Sequence, residues 1–299
     1  MSHTHTSKQK TTTGKVVMVQ KPSAVGAVIK NTIFLVLCAL YLFPVYIIVV
    51  NSFKNRAEIT ANMLALPSSL NFHFYADAMQ RMNFLTSLRN SLVLTLVSIA
   101  FIIVLTSMTA WMLVRSNNNI SKFIFSFLVA TMLIPFQTLM MPLMQTMSTI
   151  DRNTPFTMFN SLGAMVYMYI GFGASMAVFL FHGFISSIPI SLEEAATIDG
   201  CTRWGIFWRI VFPMLKPVTV TVMILNVIWI WNDFLLPSLF ITAVRTRTIP
   251  LSTFSFFGQF TIEWNMAMAG LTLTIIPVVI FYLAAQKYII KGVAAGAVK

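Results

Sequence analysis

Six stretches of this chain, at about 31–50, 91–114, 123–146, 159–181, 218–240 and 266–286, are almost continuously apolar. Each is near or above the roughly 20 residues that a helix needs to cross a bilayer. Lipid offers the backbone no hydrogen-bond partner, so a spanning segment must satisfy its own N–H and C=O groups, and an unbroken apolar run does so as a helix. Composition agrees: 57% of the 299 residues are hydrophobic and 9% are charged, against about 25% charged in a soluble domain. The expected fold is an all-α polytopic membrane protein with six transmembrane helices. Pro44, Pro135, Pro142, Pro237 and Pro277 fall inside the runs, where neighbouring helices can re-satisfy the backbone.

Six spans put both termini on one side. With the N-terminus inside, thirteen of the 20 Lys and Arg residues fall on inner segments and seven on outer ones. Positive charge collects on the cytoplasmic side of membrane proteins, which favours N-in, C-in. A net charge of +12 would suggest nucleic acid in a soluble protein. Here the basic residues flank apolar runs, so the expected partner is the lipid bilayer and not nucleic acid. The domain plan is a polar basic tail over 1–29, a six-span domain over 30–291 and a short inner tail over 292–299. No cleavable signal is legible, and the basic tail is of the kind drawn to anionic lipid. Cys38 in an apolar run and Cys201 in a polar loop give no disulfide framework.

The outer loop 51–90 mixes charged, aromatic and turn residues and is expected to be partly folded. The outer loop 241–265 carries Phe254, Phe256, Phe257, Phe260 and Trp264, as residues at a bilayer interface do. His3 and His5 in the tail, His73 and His182 read as ordinary residues. There is no HExxH, no GxSxG, no metal-spaced Cys/His cluster and no P-loop. No catalytic residue, metal ligand or cofactor is therefore expected, and no nucleotide site in this chain. Asp233, within Trp231-Asn232-Asp233-Phe234, is the one acidic residue inside a run. An Asp at a helix centre costs about 2.5–3.5 kcal/mol and offsets roughly six good apolar residues. Asn232 and Asp233 are candidate pore-lining residues; a structural contact between helices explains them equally well. Gly163, Gly171 and Gly173 suit close helix approach.

The inner segment 182–217 is the longest. Ser191 followed by Glu194 reads as a capping box. A short helix should run to about Asp199, with Gly200 supplying the left-handed residue that ends it. Thr202 can cap a second short helix, which Pro213 ends or kinks. By 3/4 spacing Leu192, Ala195, Ala196 and Asp199 share one face. The result is a helix–Gly–helix element lying along the membrane, with Trp204, Phe207 and Trp208 in its second half. It is either a plain interfacial element or a docking device for a cytoplasmic partner.

The string Glu194-Ala195-Ala196, three residues, Gly200, nine residues, then Ile210-x-Phe212-Pro213 resembles the EAA loop of permeases from ABC importers, with Phe212 where that family usually has Leu. Trp231-Asn232-Asp233-Phe234 and the ending from Gln286 to Lys299 resemble its sugar-type branch, the maltose G-subunit-like permeases. The likeness runs from about residue 30 to the end. It implies one half of a heterodimeric translocation pore in the bacterial plasma membrane, built with a second permease subunit. It further implies a cytoplasmic ABC ATPase dimer that binds the ATP, and an extracytoplasmic solute-binding protein. The solute would be a carbohydrate, a di- or oligosaccharide. The loop would be the coupling helix, with Glu194, Ala195, Ala196 and Gly200 contacting the ATPase and Asp199 and Arg203 as polar neighbours. The tail Gly292–Lys299 would reach the ATPase, or is a frayed terminus. The alternatives are another solute such as a polyamine or glycerol phosphate, a stand-alone secondary carrier, or a membrane-embedded enzyme, for which no intramembrane catalytic pair exists.

Overall fold

The computed structural model describes residues 24–258 and 263–297, with the backbone alone for Ala24, Ala27, Ala285 and 287–297. Most of the basic N-terminal tail, Phe260 and the side chains of the C-terminal tail lie outside that set. The chain falls into two compact units divided between Ile47 and Ile48. The first is helix α1 (Ala24–Asn51) up to the division, with Pro44 inside it. Its large apolar side chains, such as Phe34, Leu40 and Tyr41, are exposed, as on a helix whose solvent is lipid.

In the second unit the end of α1 is followed by α2 (Arg56–Ala61) and α3 (His73–Arg81), so the 51–90 loop is partly folded as expected. Then follow α4 (Phe84–Ser116), α5 (Asn119–Thr131), α6 (Phe136–Asn153), α7 (Leu162–Ile185), α8 (Ser191–Ile198) and α9 (Arg203–Ile206). After a wide π turn at Phe207–Val211 come α10 (Phe212–Met214), α11 (Lys216–Asn232), α12 (Leu235–Phe240), α13 (Ile249–Thr253) and α14 (Trp264–Ala297). Left-handed Asn83 and Asn117 bound α4, a conformation that Asn tolerates better than most residues.

The core is α4 against α7, with α5 and α11 alongside. Leu94, Ile99, Ile102 and Ala110 of α4 meet Met165, Tyr169, Val178 and Phe181 of α7 and Val222 and Ile230 of α11. Of the three glycines singled out for close approach, only Gly173 makes one: a Cβ there would stand 2.7 Å from Ile102 Cδ1 and 3.0 Å from Asn226 Oδ1. Gly171 faces open space, and Gly163 would meet only Ser161 Oγ at 3.7 Å.

Contacts define two ends of this bundle. At the Phe84 end, Asn90 Nδ2 donates to the carbonyls of Arg245 and Arg247 at 2.9 and 3.0 Å, and Ser91 Oγ accepts from Ile249 N. Asn160, just before α7, donates its N–H to Phe240 O and accepts from the N–H groups of Thr242 and Ala243. A second apolar cluster, including Phe74, Met82, Ile249 and Phe256, covers the same end. At the Ser116 end, Arg115 reaches the turn that follows α7, so α4 and α7 run antiparallel.

Among the described residues, four helices are long and apolar enough to cross a membrane: Val28–Asn51, Phe84–Ser116, Leu162–Ile185 and Trp264–Ala284. Two bent pairs raise the number to six if each is one span, namely 119–131 with 136–153, bent by 105°, and 203–214 with 216–232, bent by 74°. The continuous helices expected over 123–146 and 218–240 are each broken, the first at the 105° bend and the second at Asp233, beyond the 74° bend at Leu215. Pro135 is the extended residue that starts α6; it lacks an N–H and disfavours helical backbone in the residue before it. Asp233 is extended and interrupts the second run between α11 and α12.

Candidate functional site

The segment after α7 folds as a helix–Gly–helix element at the Ser116 end. Ser186, Ser187 and Ile188 close a turn onto the last carbonyls of α7. Ile190, itself helical in backbone, then starts α8 and makes no side-chain capping bond. The expected Ser191–Glu194 capping box does not form. The helix begins one residue earlier, so Ser191 is already its first turn, and Ile190 O accepts from both Glu193 N and Glu194 N.

The other end of α8 forms as the sequence predicts. Gly200 has φ +82°. Gly200 N donates to Thr197 O at 3.1 Å and Cys201 N to Ala196 O at 2.9 Å, the paired bonds of a Schellman motif. Thr202 Oγ1 then accepts from Gly205 N at 3.2 Å and caps α9. Pro213 and Pro217 remove two backbone donors from the continuation. The chain bends at Leu215 before entering α11.

The face of α8 differs from the expected one. Glu193 and Ala196 turn inward, while Leu192, Glu194, Ala195 and Asp199 are exposed. Of the residues singled out for docking, the structure gathers Glu194, Ala195, Asp199, Gly200 and Arg203 on the open side and places Ala196 in the core. Ile198, 86% exposed, and Trp204, 62% exposed, add large apolar surface beside them. Phe207, by contrast, is buried, with its ring 5.4 Å from Trp111 and 5.0 Å from Trp208.

Glu193, which the sequence reading passed over, is the polar centre of the element. Its Oε1 accepts from Arg115 Nε at 2.9 Å and lies 2.8 Å from Arg115 Nη2; its Oε2 accepts from Trp111 Nε1 at 2.9 Å. Arg115 Nη2 also donates to Ile188 O at 3.1 Å. The partners stand 78 and 82 positions apart in sequence, and no local pattern joins them.

The second candidate pair separates. Asn232 is exposed, and its Nδ2 donates to Ile228 O within its own helix. Asp233 Oδ1 accepts from Leu235 N at 3.0 Å, and Oδ2 accepts from Tyr169 OH at 2.8 Å. Tyr169 is wholly buried, edge-on to Trp229. Asp233 thus ties α7 to the junction of α11 and α12.

The sequence profile of a family described as binding-protein-dependent transport system inner membrane component matches residues 102–295. The chain is 45% identical over 265 residues to the probable starch degradation products transport system permease protein AmyC of Thermoanaerobacterium thermosulfurigenes, covering 89% of this chain and 94% of that one. It is 32% identical to the melibiose/raffinose/stachyose import permease protein MelC of Bacillus subtilis, over 89% and 94% of the two chains. Among solved structures, a chain of a bacterial ABC transporter involved in import of the acidic polysaccharide alginate superposes with a TM-score of 0.76 at 19% identity, covering 88% of this chain and 96% of that one. At that identity the likeness is one of fold.

Proposed function

Because the chain belongs to the binding-protein-dependent transport system inner membrane component family, and so is a transport component rather than an enzyme, we propose that it forms half of the pore of an ATP-driven carbohydrate importer. Residues 30–291 make up its transmembrane domain, with six spans and both termini in the cytoplasm of a bacterium. Each bent pair counts as one span. A second permease subunit completes the pore, and an extracytoplasmic binding protein delivers a di- or oligosaccharide. The substrates named for the relatives, starch degradation products and the melibiose series, support that solute class.

The observation that carries the reading is the exposed side of the helix–Gly–helix element. A segment whose inner face is fixed by Glu193 and Ala196 leaves Glu194, Ala195, Asp199, Gly200 and Arg203 without a buried role in their own chain. We assign these residues, with Ala196 supporting them from behind, to contact with a cytoplasmic ABC ATPase dimer, which binds the ATP. Both carboxylate oxygens of Asp233 are engaged within the fold, which argues against an ion-coupled carrier working through that residue.

The test is uptake into proteoliposomes. The chain is co-expressed with a second permease and an ABC ATPase that co-purify with it and is supplied with a sugar-binding protein. Oligosaccharide accumulation should require ATP inside the vesicle and continue when ionophores collapse every ion gradient. Uptake that follows an ion gradient without ATP would make the chain a stand-alone carrier. ATP-dependent uptake of a polyamine or glycerol phosphate in place of sugar would keep the machinery and change the solute.

A further inference from the structure

We propose that Arg115, Trp111 and Glu193 form a clamp that transmits movement of the coupling element to α4, so that ATP hydrolysis by the partner is converted into opening of the pore. The inference rests on the proposed docking of that element to an ATPase. It concerns what happens on the other side of the element, inside this chain.

Three side-chain bonds join the end of α4 to the coupling element, which lies more than 70 positions further along the chain. Between α7 and α8 lies the turn 186–190, which contains Pro189. Between α8 and α9 lies left-handed Gly200, with nothing within 4 Å of where a Cβ would stand. Those joints tie α8 to α7 and to α9. Glu193 ties it to α4: its carboxylate is held by the guanidinium of Arg115 on one oxygen and by the indole N–H of Trp111 on the other. Arg115 also holds Ile188 O, on the near side of the same helix, and the Trp111 ring rests on Phe207, beyond it. The last two turns of α4 therefore grip the coupling element before, within and after α8.

The group is well shielded, with the side chains of Arg115 and Glu193 only 18% and 10% exposed. Charge-assisted bonds to a planar guanidinium are directional, so α8 cannot rotate or slide without taking the end of α4 with it. The 33-residue α4 packs along α7, which carries the displacement into the bundle. Glu194, one position on, points outward, so the two neighbouring carboxylates divide the work: one faces the partner and one anchors the helix. Arg115, Trp111 and Glu193 are positioning residues in this scheme, and none of them touches the solute.

The experiment compares Glu193→Gln, Arg115→Met and the double variant Arg115→Met/Glu193→Met in the reconstituted four-component transporter. Three quantities are read: recovery of the ATPase with the permease, ATP hydrolysis stimulated by the loaded binding protein, and solute moved per ATP hydrolysed. Both single variants should retain the ATPase and hydrolyse ATP, while solute moved per ATP falls roughly tenfold, within the usual span of coupling between sites. The double variant removes both charges and leaves no unpaired one, a change that buried pairs often tolerate in stability. It should be recovered at the wild-type level and remain uncoupled. Wild-type transport per ATP in the single variants would overturn the clamp. So would full recovery of coupling in the double variant, because the single variants would then have suffered only from a stranded charge. Loss of the ATPase from either single variant would also overturn it, by making the pair part of the docking surface. Failure of the wild-type chain to retain any ATPase is a separate result and would remove the proposed function itself.

Discussion

Gly200 is the residue where backbone geometry and proposed function meet most closely. Its φ of +82° sits in open space, so a side chain there meets no clash and the penalty is purely conformational. A non-Gly residue in that region costs about 1–3 kcal/mol, less for Asn and more for a β-branched residue. Uptake should fall in the order Gly, Asn, Ala, Val at position 200, with membrane insertion equal in all four when assayed by the amount of chain in washed membranes. Equal uptake across the series would mean that the angle between α8 and α9 does not matter for transport. This residue was legible in the sequence because a helix stop is local: Gly after a polar helical turn is a pattern of a few neighbours. Glu193 was not. Two adjacent glutamates differ only in which way the helix turns them, and it is the packing of α8 against the end of α4 that points Glu193 inward. Its partners Trp111 and Arg115 come from another helix, so only the tertiary fold brings the three together. Tyr169 was missed for the same reason: a phenol in an apolar run reads as core until Asp233 is found 2.8 Å away.

At the scale of elements, the α4–α7–α11 crossing depends on the missing side chain at Gly173. The nearest obstacle to a Cβ is the terminal methyl of Ile102, and overpacking of this kind costs about 1–3 kcal/mol. Gly173→Ala should therefore lower the apparent Tm of the detergent-solubilised protein. Ile102→Val deletes the obstructing methyl, so the double variant should regain most of the loss. A strictly additive double variant would show that the strain lies against Asn226 instead, since additivity fails only between residues that interact. That the apolar runs form helices was readable, because a run of this kind satisfies its backbone in lipid as a helix. Element continuity was not. Pro44, Pro142 and Pro277 sit inside unbroken helices, yet Pro135 marks a turn of 105°. A proline removes the same hydrogen bond in each case, and only the surrounding packing decides whether the helix bends slightly or stops. Ahead of Pro135 the chain turns at residues 132–134, where α5 has already reached the middle of α7 and Thr131 Oγ1 meets Ser175 Oγ at 2.7 Å.

For the whole molecule, the sequence led to an expectation of six crossings, and the contacts within the second unit bear on whether each bent pair is one of them. The pair α5–α6 leaves the Ser116 end of α4, since α5 begins three residues later. It delivers the chain to the Leu162 end of α7, which Asn160 ties to Thr242 and Ala243. Those residues precede Arg245 and Arg247, whose carbonyls Asn90 holds at the Phe84 end of α4. A re-entrant loop would return the chain to the end it left, whereas this pair arrives at the opposite one. The bent pair ending in α11 does the same in its turn: it leaves the clamp at Arg115 and arrives at Asp233 and then Asn160. Single cysteines placed in a background with Cys38 and Cys201 replaced by Ser test the consequence. Leu66 and Phe156 are 75% and 65% exposed on segments assigned to the outer side, and Ile198 is 86% exposed on the coupling element. Leu66→Cys and Phe156→Cys should react with a membrane-impermeant maleimide in intact cells stripped of their wall, and Ile198→Cys only after permeabilisation. Labelling of Phe156→Cys together with Ile198→Cys would make α5–α6 re-entrant and reduce the crossings. Labelling of Ile198→Cys from outside would invert the orientation, and with it remove the coupling element from the compartment where an ATPase could reach it.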